Sequence, residues 1–358
     1  MKKLKAGIIG ATGMVGQRLT LLLSGHEWFD PVLLAASARS AGKTYAEALG
    51  ERWVMPENIP NNLVDKVLYD AVDVEKVARE VDFVFCAVDM EKERVKALEE
   101  AYALAECPVI SNNSALRFAP DVPMIIPELN DAHAAVIVAQ RKRLSTQRGF
   151  ITAKPNCSIQ CYVPLLHPLR ERYGLKKVLV CTYQAISGLG KTLAAYPEIM
   201  DNIIPFINGE EEKSRTEPLK IWGSVENGRI LPALNPDITA KCLRVPVSDG
   251  HLAVVFASFE KKPDLEEIKG IWQNFSSKPQ WLRLPSAPKQ FIHYFKEPDR
   301  PQVKLDRDLE NGMAVSAGRL GTDSQYDISF MGLTHNTLRG AAGGAVLLAE
   351  LLYTEGYI

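Results

Sequence analysis

The sequence has no excess of charge and no long apolar run. Its 358 residues include 42 Lys and Arg residues against 43 Asp and Glu residues, so the formal net charge is −1. A chain with this balance has no general electrostatic attraction to nucleic acid or to an anionic membrane. No uncharged apolar stretch reaches the ~18 residues that a membrane-spanning helix needs. No signal peptide precedes the first predicted strand, so we expect a cytoplasmic globular protein that binds small molecules.

Cysteines are few and are not spaced as a disulfide framework or a metal site. The six of them lie at positions 86, 107, 157, 161, 181 and 242 without paired spacing, which is typical of reduced thiols in a cytoplasmic protein. Cys157 and Cys161 are not accompanied by the second Cys or His pair that a structural zinc site needs. We therefore expect no metal ion.

A glycine-rich segment lies between the first predicted strand, residues 4–9, and an apolar helix that runs through Leu23. Glycines at positions 10, 13 and 16 suit a tight turn, close approach of the backbone to a phosphate, and close packing of helix on strand. The helix N-terminus then faces a pyrophosphate. A plain strand–helix turn is the alternative, but this context favours dinucleotide binding. The predicted cofactor contacts here are Gly10, Thr12, Gly13, Met14 and Val15.

Acidic residues are absent from the end of the second predicted strand, residues 32–36. An NAD site usually places Asp or Glu at this point for the ribose 2′-hydroxyl, whereas the 2′-phosphate of NADP requires cations. No acid occurs between positions 31 and 47, and the loop after the strand contains Ser37, Arg39 and Ser40. A charged surface loop is the alternative. We predict an NADP site that includes these three residues.

The remaining segments predict two structural parts that meet near residue 155. Continuous apolar runs are expected in a parallel sheet whose two faces are covered. The first part has such runs at residues 81–88 and 108–110, a charged helix at 91–104 and a solvated loop at 140–148. The second part has predicted strands at 177–186, 252–259, 291–295, 302–305, 313–320 and 326–332, and a helix at 264–275.

This order favours an α/β fold, in which an N-terminal Rossmann-type parallel sheet is followed by an α+β part with a mixed sheet. We expect an NADP-binding domain at residues 1–155, completed by a C-terminal helix at 335–358. A catalytic and oligomerisation domain is expected at residues 156–334.

The segment Lys154-Pro155-Asn156-Cys157-Ser158 lies at the junction of the two parts. Asn156 is a good N-cap, so Cys157 is predicted in the first turn of a helix, where free N–H groups and the helix dipole stabilise an anion. Such a position lowers the pKa of a thiol and makes it a nucleophile. A buried cysteine at the start of a core helix is the alternative.

Polar side chains at the ends of other predicted elements complete a candidate site. Gln184 ends a strand beside a glycine turn, and its amide suits the orientation of a thiol or a carbonyl. His251 follows a glycine and is the natural base for a cysteine nucleophile, with His335 as its rival. The ordinary alternatives are that Gln184 is a surface residue, that Arg244 and His251 flank a solvated turn, and that the acids at 210–212 stabilise a helix dipole. The charged candidates are Arg117, Glu210, Lys213 and Arg244.

These motifs occur together in one order along nearly the whole chain. They are Gly10-Ala11-Thr12-Gly13, Asn112-Asn113-Ser114 with Arg117, Pro155-Asn156-Cys157-Ser158, Gln184-Ala185-Ile186-Ser187-Gly188, the 210–213 cluster, residues 244–251 and His335-Asn336. In this combination the chain resembles the aspartate-semialdehyde dehydrogenases, of the branch found in archaea and fungi. It departs from that branch at residues 189–195, where a Gly-Tyr-Pro-Gly type loop is usual. The cofactor or subunit contacts of this loop therefore stay open.

The resemblance implies a reaction and a role for each candidate residue. NADP-dependent reduction of L-aspartyl 4-phosphate to L-aspartate 4-semialdehyde would proceed through a thioester on Cys157, in the biosynthesis of lysine, threonine, methionine and isoleucine. His251 would exchange the proton, and Gln184 would hold the acyl group. Arg117 and Lys213 are then expected to bind phosphate, Arg244 the carboxylate and Glu210 the ammonium. Further implied cofactor contacts are Cys86, Ser114, Ser187, Gly188 and Asn336. A homodimer or homotetramer is also implied.

Three other functions compete with this one. A malonyl-CoA or succinyl-CoA reductase of the same superfamily would share the cofactor site, the thiol and the histidine, but its substrate has no ammonium to pair with an acidic group. A reductase of N-acetylglutamyl phosphate would also act on a substrate without an ammonium, because acylation removes that charge. A regulatory dinucleotide-binding protein would not need Cys157, Gln184, Arg244 and His251 together.

Overall fold

The computed structural model describes residues 2–358, and its first half is built on a parallel sheet. The six strands lie in the order β3-β2-β1-β4-β5-β6, and each pairs with its neighbour in parallel. They are β1 Leu4–Ile9, β2 Phe29–Ala36, β3 Tyr69–Asp70, β4 Phe83–Cys86, β5 Val109–Ser111 and β6 Ile151–Ala153. The predicted Rossmann-type sheet is confirmed.

Helices cover both faces of this sheet and one face of a second. They are α1 Met14–Leu23, α2 Tyr45–Leu49, α3 Val74–Ala78, α4 Lys92–Leu104, α5 Ile137–Leu144, α6 Val163–Tyr173, α7 Glu210–Ile221, α8 Leu265–Gln273, α9 Lys278–Trp281, α10 Val303–Asp306, α11 Leu309–Gly312 and α12 Ala342–Thr354. The C-terminal helix predicted from residue 335 is α12, which begins only at Ala342 and packs against α1 and β5. Residues 336–341 form turns, and the Asn336 side chain bonds to the Gly250 N–H and the Ser187 hydroxyl. Within residues 2–358 no helix combines the length and apolar character that crossing a membrane requires.

The second sheet is mixed, as predicted. Its strand order is β10-β7-β11-β14-β13-β12, with parallel pairs at the two edges and antiparallel pairs between them. A separate hairpin is formed by β8 and β9. The strands are β7 Leu175–Gln184, β8 Ser224–Glu226, β9 Arg229–Leu231, β10 Asp237–Arg244, β11 His251–Phe259, β12 Ile292–Tyr294, β13 Val315–Thr322 and β14 Ile328–Thr334.

Two predicted segments have a different structure. Residues 140–148, predicted to be a solvated loop, begin within α5, because the buried Gln140 amide bonds to the backbone of Ile151 and Asp121. Residues 302–305, predicted to be a strand, lie largely in α10. The Asp306 carboxylate accepts a hydrogen bond from the Gln302 backbone N–H at 2.7 Å, which closes this turn.

Candidate active site

A cavity of about 360 Å³ lies where the carboxyl ends of β4, β5 and β6 meet the second half of the chain. Ligands bind at this edge of open parallel sheets. Residues from α1, from α7 and from the segment before α12 also line the cavity. The predicted site residues that line it are Val15, Ser114, Arg117, Cys157, Ser187, Gly188, Glu210, Lys213 and Asn336.

Cys157 lies at the cavity wall, but not in an α-helix. A short 3-10 turn, Ser158–Cys161, follows it, and α6 begins only at Val163. Asn156 caps this turn, since its Oδ1 accepts hydrogen bonds from the Ser158 N–H and hydroxyl, both at 2.7 Å. The prediction of an α-helical first turn at Cys157 was wrong. Pro164 suits the first turn of the later helix, because it has no N–H to leave unpaired.

The predicted lowering of the Cys157 pKa is also absent from the ligand-free protein. Burial raises the pKa of this thiol, and the Glu210 carboxylate raises it further. Three cations oppose these effects: Lys154, Arg117 and Arg244. Ionisation of the thiol therefore depends on nearby positive charge rather than on a helix dipole.

His251 is the first residue of β11 and lies beside the thiol. Its Nε2 is 3.4 Å from Cys157 Sγ, and its Nδ1 accepts a hydrogen bond from the Ala185 backbone N–H at 3.0 Å. The ring is fully buried, and burial lowers its pKa to about 3. Neither histidine lines the cavity itself, but His251 contacts the thiol, whereas Nδ1 of the rival, His335, faces the Thr337 backbone N–H. The geometry therefore favours His251.

Glu210 joins several predicted residues into one network. Its carboxylate accepts hydrogen bonds from Asn156 Nδ2 at 2.9 Å, Gln184 Nε2 at 3.1 Å and Lys213 Nζ at 2.8 Å. Burial pulls the Glu210 pKa upward, but Lys213 and the two amides leave it below the usual value. The carboxylate is therefore ionised at neutral pH. Gln184 itself lies behind the cavity wall, where it also bonds to Thr182.

Arg244 supports the wall from the end of β10. Its Nη1 donates to the Ala185 carbonyl at 2.7 Å, and the guanidinium is buried. Gly188 lies against it, so that a Cβ at position 188 would be 2.8 Å from Nη1. Like Gln184, Arg244 does not itself line the cavity of the ligand-free protein.

Two important residues of α7 were missed by the sequence analysis. Glu217 pairs with Arg117 Nη1 at 2.8 Å and accepts the Asn156 backbone N–H at 2.6 Å. Lys220 donates to the carbonyls of residues 117, 119 and 122, all within 2.8 Å. Together with Glu210 and Lys213, these side chains recur at helical spacing on one face of α7. That spacing of charges was the available signal.

The glycine-rich segment has the close packing that was predicted. Gly10 has a φ of +91°, and a Cβ there would be 2.4 Å from the Ala87 carbonyl oxygen. A Cβ at Gly16 would be 2.2 Å from the Gly10 oxygen, so α1 packs directly on the turn that follows β1. Gly13 is the residue before α1, whose first-turn N–H groups have no acceptor within the helix.

The other predicted cofactor residues differ in exposure. Ser37 and Arg39 are exposed at the end of β2, whereas Ser40 and Cys86 are buried. Asn336 Nδ2 donates to the Ser187 hydroxyl at 2.8 Å, which joins two of the residues that line the cavity.

Two family models and several curated proteins match this chain. The family model described as "Semialdehyde dehydrogenase, NAD binding domain" matches residues 5–137, and "Semialdehyde dehydrogenase, dimerisation domain" matches residues 166–339. The aspartate-semialdehyde dehydrogenases of Archaeoglobus fulgidus and Schizosaccharomyces pombe are each 41% identical to the chain, over 98% of both lengths. The chain belongs to the aspartate-semialdehyde dehydrogenase family.

The predicted resemblance to the archaeal and fungal branch is thereby confirmed. A crystal structure of aspartate-semialdehyde dehydrogenase with NADP from Candida albicans has a TM-score of 0.90 with this chain at 37% identity, and each chain is covered in full.

Proposed function

We propose that the protein is an NADP-dependent aspartate-semialdehyde dehydrogenase that reduces L-aspartyl 4-phosphate to L-aspartate 4-semialdehyde, in amino-acid biosynthesis. One observation carries the chemistry. Cys157 Sγ lies 3.4 Å from the buried imidazole of His251. Cys157 lines a cavity that is also lined by an ionised Glu210, Lys213 and Arg117. This set matches a substrate with an ammonium, a carboxylate and a phosphate.

The residues present fit NADP. The first turn of α1 offers free N–H groups for the pyrophosphate, and a Cβ at Gly13 would meet nothing closer than 3.5 Å, so the backbone there is open to a ligand. Arg39 is exposed beyond β2 in a loop without acids, which suits a 2′-phosphate. Ser187, Gly188 and Asn336 would complete the site beside the thiol. When bound, NADPH supplies the hydride that reduces the acyl carbon.

The covalent step belongs to Cys157. Its thiolate attacks the acyl carbon of the substrate, the bond from that carbon to the phosphate oxygen breaks, and a thioester forms as phosphate leaves. After reduction, the bond from carbon to Sγ breaks as the aldehyde forms, and the sulfur leaves as the thiolate 3.4 Å from His251 Nε2. The step therefore does not need the proton exchange expected of His251.

The charged groups divide the rest of the substrate between them. Glu210 takes the ammonium, and Lys213 and Arg117 take the phosphate that leaves. Arg244 takes the carboxylate after a shift from the Ala185 carbonyl. Gln184 holds Glu210 in place from behind at 3.1 Å, and the expected contact with the acyl group would require it, like Arg244, to shift toward the cavity.

The structure disfavours substrates that lack an ammonium. With a malonyl, succinyl or N-acetylglutamyl group, Lys213 would remain the cation paired with the buried Glu210 carboxylate, and the carboxylate would gain no substrate ammonium. The non-catalytic alternative has no use for a thiol held beside an imidazole.

We also propose a homodimer that forms through the second half of the chain. Along β7 and β11 the residues alternate between buried and half-buried, and the half-buried face is almost wholly apolar. It carries Leu179, Cys181, Tyr183, Leu252, Val254 and Phe256. Such a face is typical of an oligomer interface. Two dimers could pair as a tetramer.

All six cysteines are free thiols, which fits the reducing cytoplasm.

A substrate assay tests the function. With L-aspartate 4-semialdehyde, reduction of NADP⁺ should depend on added phosphate, and NADPH should not be oxidised with malonyl-CoA. The Cys157→Ala variant should lose turnover and still bind NADP⁺. Activity with malonyl-CoA alone would overturn the assignment, and full turnover by Cys157→Ala would remove Cys157 from the mechanism.

A further inference from the structure

The hydrogen bond at the back of His251 fixes where its proton lies. Nδ1 accepts the Ala185 backbone N–H at 3.0 Å, and a nitrogen that accepts such a bond carries no proton. The neutral ring therefore has its proton on Nε2, the nitrogen that faces Cys157 Sγ at 3.4 Å. An imidazolium would place Nδ1–H against Ala185 N–H, so that two buried donors would face each other.

This arrangement suits a thiolate better than a thiol. An Nε2–H group can donate to a negatively charged sulfur, whereas it cannot accept the proton of an S–H group. Because the ring stays neutral, His251 does not supply the positive charge that a buried thiolate needs. That charge must come from another side chain.

Most of the charged groups that face Cys157 already have partners. Arg117 pairs with Glu217 at 2.8 Å, and Arg244 donates to the Ala185 carbonyl at 2.7 Å. On α7, Lys213 neutralises Glu210, the carboxylate that opposes ionisation of the thiol. The cation that remains is Lys154.

Lys154 lies three residues before the thiol, at the carboxyl end of β6. Its backbone N–H donates to the Ser111 carbonyl at 2.8 Å, which extends the parallel pairing of β5 and β6 by one residue. The side chain is 3% exposed and lines the same cavity as Cys157. A glycine of α12 makes room for it, since a Cβ at Gly344 would be 2.9 Å from Lys154 Cε.

The Lys154 ammonium is only partly satisfied. It has three N–H donors, and within residues 2–358 its hydrogen bond goes to the Pro155 carbonyl, at 2.8 Å. The neighbouring Asn112, which also lines the cavity, has no partner for either amide atom. Burial lowers the pKa of Lys154 to about 7, and a Cys157 thiolate is the largest charge that favours the protonated form.

We propose that Lys154 is the positive partner of a Cys157 thiolate, and that neutral His251 supports this thiolate through its Nε2–H. Lys154 acts through Cys157 and is thus a positioning residue. The inference rests on the proposed role of Cys157 as nucleophile, and it assigns to Lys154 the charge that makes this nucleophile reactive at neutral pH.

Alkylation of Cys157 by iodoacetamide, followed on its own peptide by mass spectrometry from about pH 5 to pH 10, tests the pairing without any substrate. In Lys154→Met the alkylation rate of Cys157 at pH 7 should fall about tenfold. The midpoint of its pH dependence should be about one pH unit higher, because one unit corresponds to a tenfold change in the thiolate fraction. Lys154→Arg should restore reactivity at neutral pH. Lys142→Met, at an exposed lysine of α5, is the matched control and should behave as the parent.

A second measurement uses the unaltered protein, in case a variant does not fold. Nitrogen-15 NMR of labelled histidine, assigned with His251→Gln, should show a neutral ring protonated on Nε2 throughout the neutral range. An unchanged alkylation midpoint in folded Lys154→Met, or an imidazolium at His251, would overturn the proposal. A protein with these properties but without dehydrogenase activity would instead refute the function and leave the charge pairing intact.

Discussion

Glu217 lies near the middle of α7 with both carboxylate oxygens occupied. One accepts from Arg117, and the other accepts the backbone N–H of Asn156, the residue before the nucleophile. Its side chain is fully buried. A single carboxylate therefore fixes a predicted phosphate ligand and the backbone that carries the thiol. The helical spacing of charges on α7 was a signal for it, but the sequence analysis did not select it, because a glutamate within a charged helix is most often solvated.

We predict that Glu217→Gln is strongly destabilising and impairs catalysis. Removing one charge of a buried pair leaves Arg117 uncompensated, which costs about 3 kcal/mol of unfolding free energy. The kcat/KM should fall together with stability. Urea unfolding and steady-state kinetics measure the two effects. Glu212→Gln, at an exposed position of the same helix, should change stability by less than about 0.5 kcal/mol. Equal stability of the two variants would contradict the role given to Glu217.

Cys157 and His251 show how far residue-level prediction reached. Their pairing was predicted from residue type, and the structure brings Cys157 Sγ and His251 Nε2 to 3.4 Å; their catalytic roles stay a prediction. The local backbone at Cys157 was not predictable, since an Asn cap is compatible with both an α-helix and a 3-10 turn. The thiol environment was missed for a related reason. It depends on Lys154, Arg117 and Glu210, which come from three separate segments.

At the level of secondary-structure elements, α12 was predictable because its residues are small and apolar on all sides. Such a helix must be buried, and residues 342–352 are all buried. In contrast, β10 was not predicted. It is an edge strand that contains Asp237, Lys241 and Arg244, and its parallel pairing with β7 joins segments about 60 residues apart. Pairing at that separation leaves no local signal.

A pair of glycines tests the packing of α12. In Gly344→Ala the new Cβ would be 2.5 Å from the Arg339 carbonyl oxygen and 2.9 Å from Lys154 Cε, so the helix must shift. We expect a loss of about 1–3 kcal/mol, as for overpacked cores. Gly270→Ala is the matched control in α8, where nothing lies within 4 Å, and it should gain up to about 1 kcal/mol from helix propensity. Thermal unfolding of both variants measures this difference in stability. A Gly344→Ala variant as stable as Gly270→Ala would contradict this packing.

For the whole molecule, the outer face of the second sheet is the feature that a single chain leaves unexplained. Val254 lies at its centre, opposite Cys181 on β7 and Met331 on β14. We predict that Val254→Asp dissociates the oligomer, because a charge would be buried in an apolar interface without a partner. Sedimentation velocity should show a lower mass for this variant. Gln325→Asp, in the exposed turn between β13 and β14, should keep the parental mass. An undiminished mass of Val254→Asp would exclude this face as the interface.

The arrangement of the molecule as a parallel sheet followed by a mixed sheet was predictable from the sequence. Alternation of strands and helices in the first half indicated a parallel sheet, and the turn-rich second half indicated a mixed one. That both halves of the chain line one cavity was predicted only from the sequence motifs. Its walls are built by contacts such as Arg117 with Glu217, which are 100 residues apart in the chain.

The most direct test of the central claim is to trap the acyl enzyme. The protein is mixed with L-aspartate 4-semialdehyde and NADP⁺ without phosphate, quenched in acid and digested for mass spectrometry. The account predicts one aspartyl group, attached as a thioester to the peptide that contains Cys157 and released as phosphate is added before the quench. Turnover with phosphate but no adduct on Cys157, or an adduct on another residue, would contradict it.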